Sequence, residues 1–276
     1  MDQMELAGMP RRLFSCTPSR LAAFEDCPRR YRMTYLDRPA PPKGPPWAHT
    51  SVGVSVHNAL HRWWDVPLPA RTPERAGGLL RMAWVTDGFR DREQSAAWRE
   101  RAAAMVEGYT AGLDPAAEPR AVERQVATRT EQLAFHGRVD RLDQRDGELV
   151  VVDYKTGRRP LTEADARGSS ALALYALAAG RMLRTPCRRV ELHHLPSGTV
   201  AVAEHTDASL QRHVQRAESV ASDITEATDR LRAGADADAV FAPSPGPLCS
   251  WCDFRRHCPQ GRAVSPDREP WEGLAE

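Results

Sequence analysis

A β-hairpin signal in the middle of the chain constrains the fold more than any other feature. Residues 137–157 read GRVDRLDQRDGELVVVDYKTG, in which two strand-like runs flank the dipeptide Asp146-Gly147. An Asp-Gly pair between such runs favours a two-residue type I′ turn. With that turn as the hinge, Asp140 lies opposite Asp153. The sequence therefore predicts both a hairpin and its register.

The alternation of side chains along a strand sorts the hairpin residues into two faces. Asp140, Asp153 and Lys155 share one face. The opposite face of the second strand carries side chains that we expect in the core, namely Val150, Val152 and Tyr154. The hairpin is therefore predicted to have one buried face and one face with a concentration of charge.

Two facing carboxylates need a compensating cation. Cross-strand neighbours have Cβ atoms about 4.5–5.5 Å apart, and like charges at that spacing are destabilising. Hard oxygen ligands of this kind suit Mg²⁺ or Mn²⁺. Lys155, one of only two lysines in a chain of 38 basic residues, is placed to orient or deprotonate a water, or to stabilise charge on a phosphate. The alternative is a surface hairpin with scattered charges.

The order of the remaining elements indicates an α/β core with a helical N-terminal wrapper. Thr17 and Pro18 are typical of the first residues of a helix. Further along, the periodicity of apolar residues predicts helices, then strands, then a helix, a second hairpin and a final long helix. The helices are expected at 51–64, 73–86, 91–112, 169–183 and 207–233, and the strands at 122–130, 133–144, 148–156, 188–195 and 199–206.

The segments GVSVH, GRVDRLD and VVDYKTG, together with SRLAAFEDCPRRYR near the N-terminus, resemble motifs of the PD-(D/E)XK nuclease superfamily, in its RecB-family exonuclease branch. The resemblance covers nearly the whole chain and implies a restriction-endonuclease-like core, a central mixed sheet flanked by helices. It also implies that His57, Asp140 and Asp153 hold Mg²⁺ or Mn²⁺, that Lys155 positions the attacking water, and that Tyr175 belongs to the site.

Three positions around this motif set remain open from the sequence. A histidine on an apolar helical face is more often a core residue than a ligand, and His61, one turn after His57, is an alternative ligand or phosphate contact. Glu123 is either a further acid of the metal site or a solvated side chain. Ala171 stands where the family commonly has a glutamine four residues before the tyrosine, which puts a substrate contact in question.

The cysteines of CSWCDFRRHC form a C-x2-C-x5-C pattern, one thiolate short of a four-cysteine site. By spacing alone, zinc and an iron–sulfur cluster are equally compatible. The pattern is similar to that of the iron–sulfur nucleases of the CRISPR-associated and AddB types, and this resemblance implies a [4Fe–4S] cluster held by Cys27, Cys249, Cys252 and Cys258. Structural Zn²⁺ is the alternative. Cys16 could replace Cys27, whereas Cys187 is expected to be a buried apolar residue.

The arginines near these cysteines are candidates for DNA contact. They are interleaved with aromatic residues, which suits a single strand, although a solvated rim around an aromatic core is an equal alternative. The candidates are Arg29, Arg30, Arg32, Arg255 and Arg256.

We therefore expect one nuclease domain at 13–262. Within it, 13–38 and 240–262 form the cysteine clamp, 51–112 the helical part and 120–206 the catalytic α/β core, whereas 1–12 and 263–276 are disordered tails. A net charge of only +1 restricts nucleic-acid contact to local patches. The chain has neither a secretory signal nor an apolar run long enough to span a membrane, which predicts a cytoplasmic protein.

The predicted function is that of a metal-dependent DNA exonuclease acting on single-stranded ends in repair or recombination. The chain shows no helicase motif, so a motor or repair partner would be a separate chain. The alternative is a catalytically weak DNA-binding or partner subunit with a structural zinc or iron–sulfur site.

Overall fold

The computed structural model describes residues 13–274, which form a six-stranded mixed sheet flanked by helices. The strands follow the order β1-β3-β4-β5-β6, and β2 pairs with β3. Their bounds are β1 Phe14–Cys16, β2 Ala121–Arg129, β3 Leu133–Arg145, β4 Glu148–Lys155, β5 Cys187–His194 and β6 Thr199–Glu204. The α/β class predicted from the sequence is confirmed.

Five helices lie within four residues of their predicted bounds, whereas the short helices at 163–168, 237–240 and 259–264 had no predicted counterpart. The predicted first helix is interrupted at Cys27, whose extended backbone separates α1 from α2. The bounds are α1 Pro18–Asp26, α2 Pro28–Tyr35, α3 Ala48–Trp64, α4 Pro73–Met82, α5 Arg92–Ala111, α6 Glu163–Gly168, α7 Ser170–Leu183, α8 Asp207–Arg232, α9 Ala237–Val240 and α10 Pro259–Val264. Among residues 13–274, no helix is long and apolar enough to cross a membrane.

The central hairpin has the predicted turn and register. Asp146 and Gly147 have φ angles of +51° and +83°, as a type I′ turn requires. The antiparallel ladder pairs Arg141 with Val152 and continues without a shift to the turn. Because side chains alternate along both strands, this register places Asp140 and Asp153 next to each other at the end of the ladder.

The sheet separates two hydrophobic clusters. Helices α7 and α8 cover one cluster, which includes Val151 of β4. Helices α3, α4 and α5 cover the other, which includes the neighbouring residues Val150, Val152 and Tyr154. The core prediction for these last three side chains is confirmed, since each is at most 2% exposed. Strand β4 is buried on both faces, so its polar residues at the C-terminal end are held in fixed positions.

Two terminal segments differ from the sequence prediction. Strand β1, which no sequence pattern indicated, pairs in parallel with β3. Residues 263–274, expected within a disordered tail, instead pack against the domain. The backbone N–H of Ala48 donates to the carbonyl of Pro270, and Leu274 is buried in the α3–α5 cluster. Apolar side chains at 271 and 274 find a surface that exists only once these helices have assembled. Residues 1–12, 275 and 276 were also predicted to be disordered, and they lie outside the part of the chain that the structure describes.

Candidate active site

The two hairpin carboxylates meet where β3 and β4 leave their ladder. The backbone N–H of Tyr154 donates to Oδ2 of Asp140 at 2.8 Å, which joins the two strands just beyond the last ladder pair. The side chains of Asp140 and Asp153 are 16% and 19% exposed. Two half-buried carboxylates therefore face one small volume at the end of the hairpin.

Helix α3 brings His57 to this volume. Its Nδ1 atom lies 3.4 Å from Oδ1 of Asp140, and its ring packs edge-on against Tyr154 at 5.8 Å between centroids. Burial alone would lower the pKa of His57, but the carboxylates of Asp140, Asp153 and Glu123 outweigh it and raise the pKa. The imidazole is thus a member of the acidic cluster. The ligand set identified among residues 13–274 contains His57 and does not contain His61.

Glu123 completes the group from β2. Ligand atoms of His57, Glu123 and Asp140 all lie within 4.8 Å of one another. The β2–β3 register places Glu123 opposite Asp140, but Glu123 has a φ of +48° and interrupts the ladder there. A non-glycine residue in this conformation costs roughly 1–3 kcal/mol, and such strain concentrates at functional sites. The structure therefore favours the metal-site interpretation of Glu123. No local sequence signal indicates its backbone conformation.

Asp153 and Lys155 form a close ion pair beside this group. Lys155 Nζ lies 2.6 Å from Asp153 Oδ2, although that buried oxygen has no hydrogen-bond partner of good geometry within residues 13–274. Burial raises the pKa of Asp153, the ammonium of Lys155 opposes that rise, and Asp140 adds to it. The Lys155 side chain is 44% exposed, so its ammonium can reach both the carboxylates and solvent.

These side chains fit a divalent cation. The group offers carboxylate oxygens and one imidazole nitrogen, a donor set compatible with Mg²⁺ or Mn²⁺. The fit rests further on the crowding of like charges, because the carboxylate of Asp140 adds to the raised pKa of the buried Asp153. A cation would offset this repulsion.

Tyr175 of α7 approaches the same end of the sheet. A Cβ added to Gly137 of β3 would lie 2.3 Å from Tyr175 Cε1, so the ring packs where only glycine leaves room. Burial, reinforced by Asp153 and Asp140, raises the pKa of Tyr175 to about 12. The phenol is therefore neutral and can donate a hydrogen bond near the carboxylates.

Ala171 lies one helical turn before Tyr175. Both residues line a cavity of about 430 Å³ between α7 and the helices α1 and α8. The position where the family commonly has a glutamine therefore opens onto space that a longer side chain could occupy. None of the four metal-site side chains depends on Ala171.

The four predicted cluster cysteines converge from both ends of the domain. Cys27, Cys249, Cys252 and Cys258 together line a cavity of about 40 Å³. Backbone N–H groups of residues 244, 246 and 261 donate to the sulfurs of Cys27, Cys249 and Cys258 at 3.4–3.5 Å. N–H donation to sulfur stabilises thiolate ligands. These four residues can therefore act as one ligand set.

The spacing of the sulfurs bears on what the set could hold. Within residues 13–274, no three cysteine sulfurs lie within 4.8 Å of one another. Tetrahedral zinc with bonds of about 2.3 Å requires sulfurs about 3.8 Å apart. A single zinc ion would therefore require the sulfurs to move closer together. A Cβ on Gly261 would lie 3.2 Å from Cys249 Sγ, so the chain passes close to the sulfurs there.

The other two cysteines are outside this set. Cys16, the alternative to Cys27, is 1% exposed in β1 and pairs with Phe135, so that alternative is wrong. Burial raises the pKa of the Cys16 thiol to about 11. Cys187 is 5% exposed in the core, as predicted.

Two of the arginines predicted to contact DNA have structural partners instead. Arg29 is 5% exposed, pairs with Asp238 and donates to Gln260. Arg32 is 9% exposed and pairs with Asp37 and Asp238. Their guanidinium groups tie α2 to α9 and α10, so their assignment to DNA contact is corrected. The reason is that the N- and C-terminal segments enclose them, a long-range contact that the sequence does not reveal.

The other three arginines differ in exposure. Arg30 is partly exposed and pairs weakly with Asp26 at 3.5 Å. Arg255 has a 14% exposed side chain and donates to the carbonyl of Ser265. Arg256 is exposed and donates to the carbonyls of Pro42 and Lys43. Arg30 and Arg256 stay candidates for phosphate contact.

Comparisons with known proteins agree with this geometry. A family model described as the PD-(D/E)XK nuclease superfamily matches residues 15–259. One ATP-dependent helicase/nuclease subunit from Limosilactobacillus fermentum is 27% identical over 169 residues, covering 52% of this chain and 12% of that protein. The chain thus spans about an eighth of this curated relative.

Among solved structures, a crystal structure named "Putative exonuclease" from Eubacterium rectale shares the fold. Its TM-score is 0.50 at 13% identity, with 87% of this chain and 86% of that chain covered. At this identity the likeness concerns the fold alone, a central mixed sheet flanked by helices. Together with the family match over most of its length, it shows that the chain belongs to the PD-(D/E)XK nuclease superfamily.

Proposed function

We propose that this protein is a metal-dependent DNA exonuclease that hydrolyses phosphodiester bonds at single-stranded ends. The observation that carries the proposal is the convergence of His57, Glu123 and Asp140, whose ligand atoms lie within 4.8 Å of one another, beside the ion pair of Asp153 and Lys155. Three carboxylates are crowded in this group, and the side chains of their cationic partners Lys155 and Arg138 are about half exposed. Such an arrangement is typical of a site that binds a cation.

Each residue has a defined task in this reaction. Asp140, Asp153 and His57, with Glu123, would hold the cation, which would supply Lewis-acid stabilisation of the phosphate. Lys155 orients the attacking water and offsets negative charge that develops on the phosphoryl oxygens. Water adds to phosphorus and loses one proton to solvent, the P–O bond to the leaving sugar oxygen breaks, and that oxygen takes up one proton from solvent. Tyr175, held neutral, is placed to donate a hydrogen bond near the carboxylates.

The test is degradation of single-stranded DNA labelled at either the 5′ or the 3′ end, with Mn²⁺ or Mg²⁺. We expect the parent protein to release labelled nucleotides and both Asp153→Ala and Lys155→Ala to lose that activity. Equal DNA loss with parent and variants would show a contaminating nuclease and reject the assignment. The two label positions report the polarity of cleavage.

A second candidate function is supported by Ala171. If the missing glutamine is needed for turnover, the chain is a DNA-binding subunit that cleaves weakly. Ala171→Gln separates the two candidates, because the cavity beside position 171 can receive the longer side chain. A large increase in cleavage by this variant would favour the weakly catalytic subunit.

We also propose that the cysteine set holds a [4Fe–4S] cluster with a structural role. The open sulfur spacing and the N–H donors to sulfur support it. A cluster there would join residue 27 to residues 249–258 and contribute to folding free energy. Protein prepared without oxygen should be brown and contain iron and sulfide, and Cys27→Ser should lose both. A colourless protein loaded with zinc would reject the cluster.

The cellular setting follows from the same reasoning. The matched relative is named as a helicase/nuclease subunit. We propose that a separate helicase or repair protein supplies single-stranded ends to this chain in the cytoplasm, where free thiols stay reduced. Co-purification of the tagged full-length chain from its native host tests this association.

A further inference from the structure

A groove lined by tryptophans and arginines begins where β4 ends. Two depressions of about 420 and 690 Å³ adjoin each other and share Trp98, Arg158 and Leu274. We call them together the Trp–Arg groove. Its principal side chains are Trp98, Trp251, Trp271, Arg158, Arg159 and Arg268. None of them belongs to the metal site or the cysteine ligand set.

The groove begins at residues that directly follow the proposed active site in the chain. Thr156 and Gly157, which line the first depression, directly follow Lys155. Thr156 Oγ1 lies 3.5 Å from where a Cβ of Gly53 would be, and Gly53 lies one turn before His57 on α3. The carbonyl of Gly157 is hydrogen-bonded to His194 Nε2 at 2.7 Å. The first depression is therefore fixed to the strand that carries Asp153 and Lys155.

The indole rings in the groove are held in place and remain partly exposed. Trp98, Trp251 and Trp271 are each half-buried. The guanidinium of Arg101 lies 5.2 Å from the ring centroid of Trp98, and that of Arg268 lies 5.4 Å from the ring centroid of Trp251. Indole rings ordered in this way are platforms on which a flat aromatic group can stack.

The charge in the groove favours an anionic ligand. Arg158 is exposed and has no ion-pair partner among residues 13–274, whereas Arg159 pairs with Asp165. Two acids, Glu93 and Glu272, also line the second depression, and Glu272 pairs with Arg268. The first depression contains no acidic side chain. In a chain with a net charge of +1, this is a local concentration of positive charge.

We propose that the Trp–Arg groove binds single-stranded nucleic acid and leads it to the metal site, with bases stacked on Trp98 and Trp251 and a phosphate paired with Arg158. Phosphate contact combined with stacking on aromatic side chains is how proteins hold a single strand. A duplex keeps its bases stacked on each other, so it cannot use the indoles. This inference rests on the proposed nuclease function and names the path of its substrate.

The experiment measures binding apart from cleavage. Every protein carries Asp153→Ala, and a fluorescent oligothymidine is titrated in Ca²⁺ buffer with anisotropy as the readout. We expect Trp98→Ala to raise Kd at least about fivefold, as loss of one stacked base does. Arg158→Glu should raise Kd about tenfold and reduce the dependence of binding on salt concentration. Trp98→Phe should retain most of the affinity.

The matched control is Arg212→Glu, an exposed charge reversal on α8 across the sheet from α5. It should leave Kd unchanged. The proposal is overturned if Trp98→Ala and Arg158→Glu bind as tightly as their parent, if Arg212→Glu weakens binding equally, or if a duplex binds as tightly as the single strand. If Trp98→Ala does not fold, the Kd of Arg158→Glu tests the proposal by itself. Arg158 is exposed, so its substitution should not disturb folding.

Failure of the groove and failure of the nuclease function give different results. If the protein with Asp153 intact cleaves DNA and the groove variants bind with unchanged Kd, only the groove proposal is rejected. Variant-sensitive binding without any cleavage rejects the nuclease function and leaves the groove as a single-strand binding site.

Discussion

Two charged clusters on the same strands contrast with each other. The proposed cation site, which we call the metal site, contains Asp140 of β3 and Asp153 of β4. The adjacent residue Arg141 belongs instead to a buried network, which we call the strand network and which consists of Arg141, Asp143, Arg145, Glu191, His193 and Tyr109. Because side chains alternate along a strand, neighbouring residues of β3 point into different environments.

In the strand network, positive and negative groups are paired. Arg141 Nη2 donates to Asp143 at 3.0 Å, and Arg145 bridges Asp143 and Glu191 at 2.6 and 2.8 Å. Tyr109 accepts from Arg141 and shares a hydrogen bond of 2.8 Å with His193. Hydrogen bonds and ion pairs within the network offset the free-energy cost of removing these charges from water.

In the metal site, the cationic partners of the carboxylates are exposed, because the side chains of Lys155 beside Asp153 and Arg138 beside Glu123 are 44% and 58% exposed. Three carboxylates converge on one imidazole and one ammonium, Glu123 adopts a strained backbone, and burial raises the pKa of Asp153. Acids paired with a buried guanidinium therefore stabilise the fold, whereas crowded acids whose cationic partners are exposed are a candidate site for a bound cation.

The largest expected effect comes from Asp140→Asn. The change removes a charged oxygen ligand from the proposed cation site but retains the shape of the side chain. We expect nuclease activity on single-stranded DNA to fall on the order of 10³-fold, in the range seen when groups that stabilise a transition state are removed. The free energy of unfolding in urea should change by less than about 1 kcal/mol, because like-charge repulsion is relieved. Full activity in this variant would contradict the site.

The matched change on the same strand is Asp143→Asn. It leaves the buried guanidinium of Arg141, whose side chain is 4% exposed, without its carboxylate partner. We expect the free energy of unfolding to fall by about 3 kcal/mol, the lower end of the range for breaking a buried ion pair. Cleavage per folded molecule should be retained. A stable but inactive Asp143→Asn protein would contradict the assignment of the strand network to stability and of the metal site to catalysis.

Cation binding should stabilise the protein through the metal site only. At a Mn²⁺ concentration 100 times its Kd, linkage predicts about 2.7 kcal/mol of added stability. Thermal unfolding with and without Mn²⁺ should show this gain in the parent and in Asp143→Asn. Asp140→Asn should gain little stability from Mn²⁺. The gain measured for Glu123→Gln should show how much the Glu123 carboxylate of β2 contributes to Mn²⁺ binding. An equal gain in parent and Asp140→Asn would place the ion elsewhere.

The smallest effect is a pH dependence carried by Glu191. Burial alone would raise its pKa, but hydrogen bonds from His193, Arg145 and Arg189 outweigh burial and hold the pKa well below its usual value of 4.5. A depressed pKa means that this stabilisation is complete above about pH 4.5 and is lost as the pH falls further. The stability difference between parent and Glu191→Gln should narrow by about 1 kcal/mol between pH 6 and pH 3.5 in urea unfolding experiments. A difference that widens on acidification would contradict the assignment.

Local sequence was sufficient to predict the hairpin and much of the metal site. The Asp-Gly turn set the register of β3 and β4, and that register brought Asp140 and Asp153 together. These features are local, because a two-residue turn fixes which residues of the two strands pair and the strand period of two fixes which side chains share a face. The motif resemblance added the family, which the family match shows, and His57, whose Nδ1 lies 3.4 Å from Oδ1 of Asp140.

Features that depend on distant segments emerged only in the folded chain. The strained backbone of Glu123, the burial of Arg29 and Arg32 between the termini, and the packing of Leu274 on α3–α5 have no local signature. The Trp–Arg groove likewise assembles residues from α5, the end of β4 and the C-terminal segment. Periodicity fixes which face of an element is apolar, but only the assembled core fixes which segments meet and which charges remain unpaired.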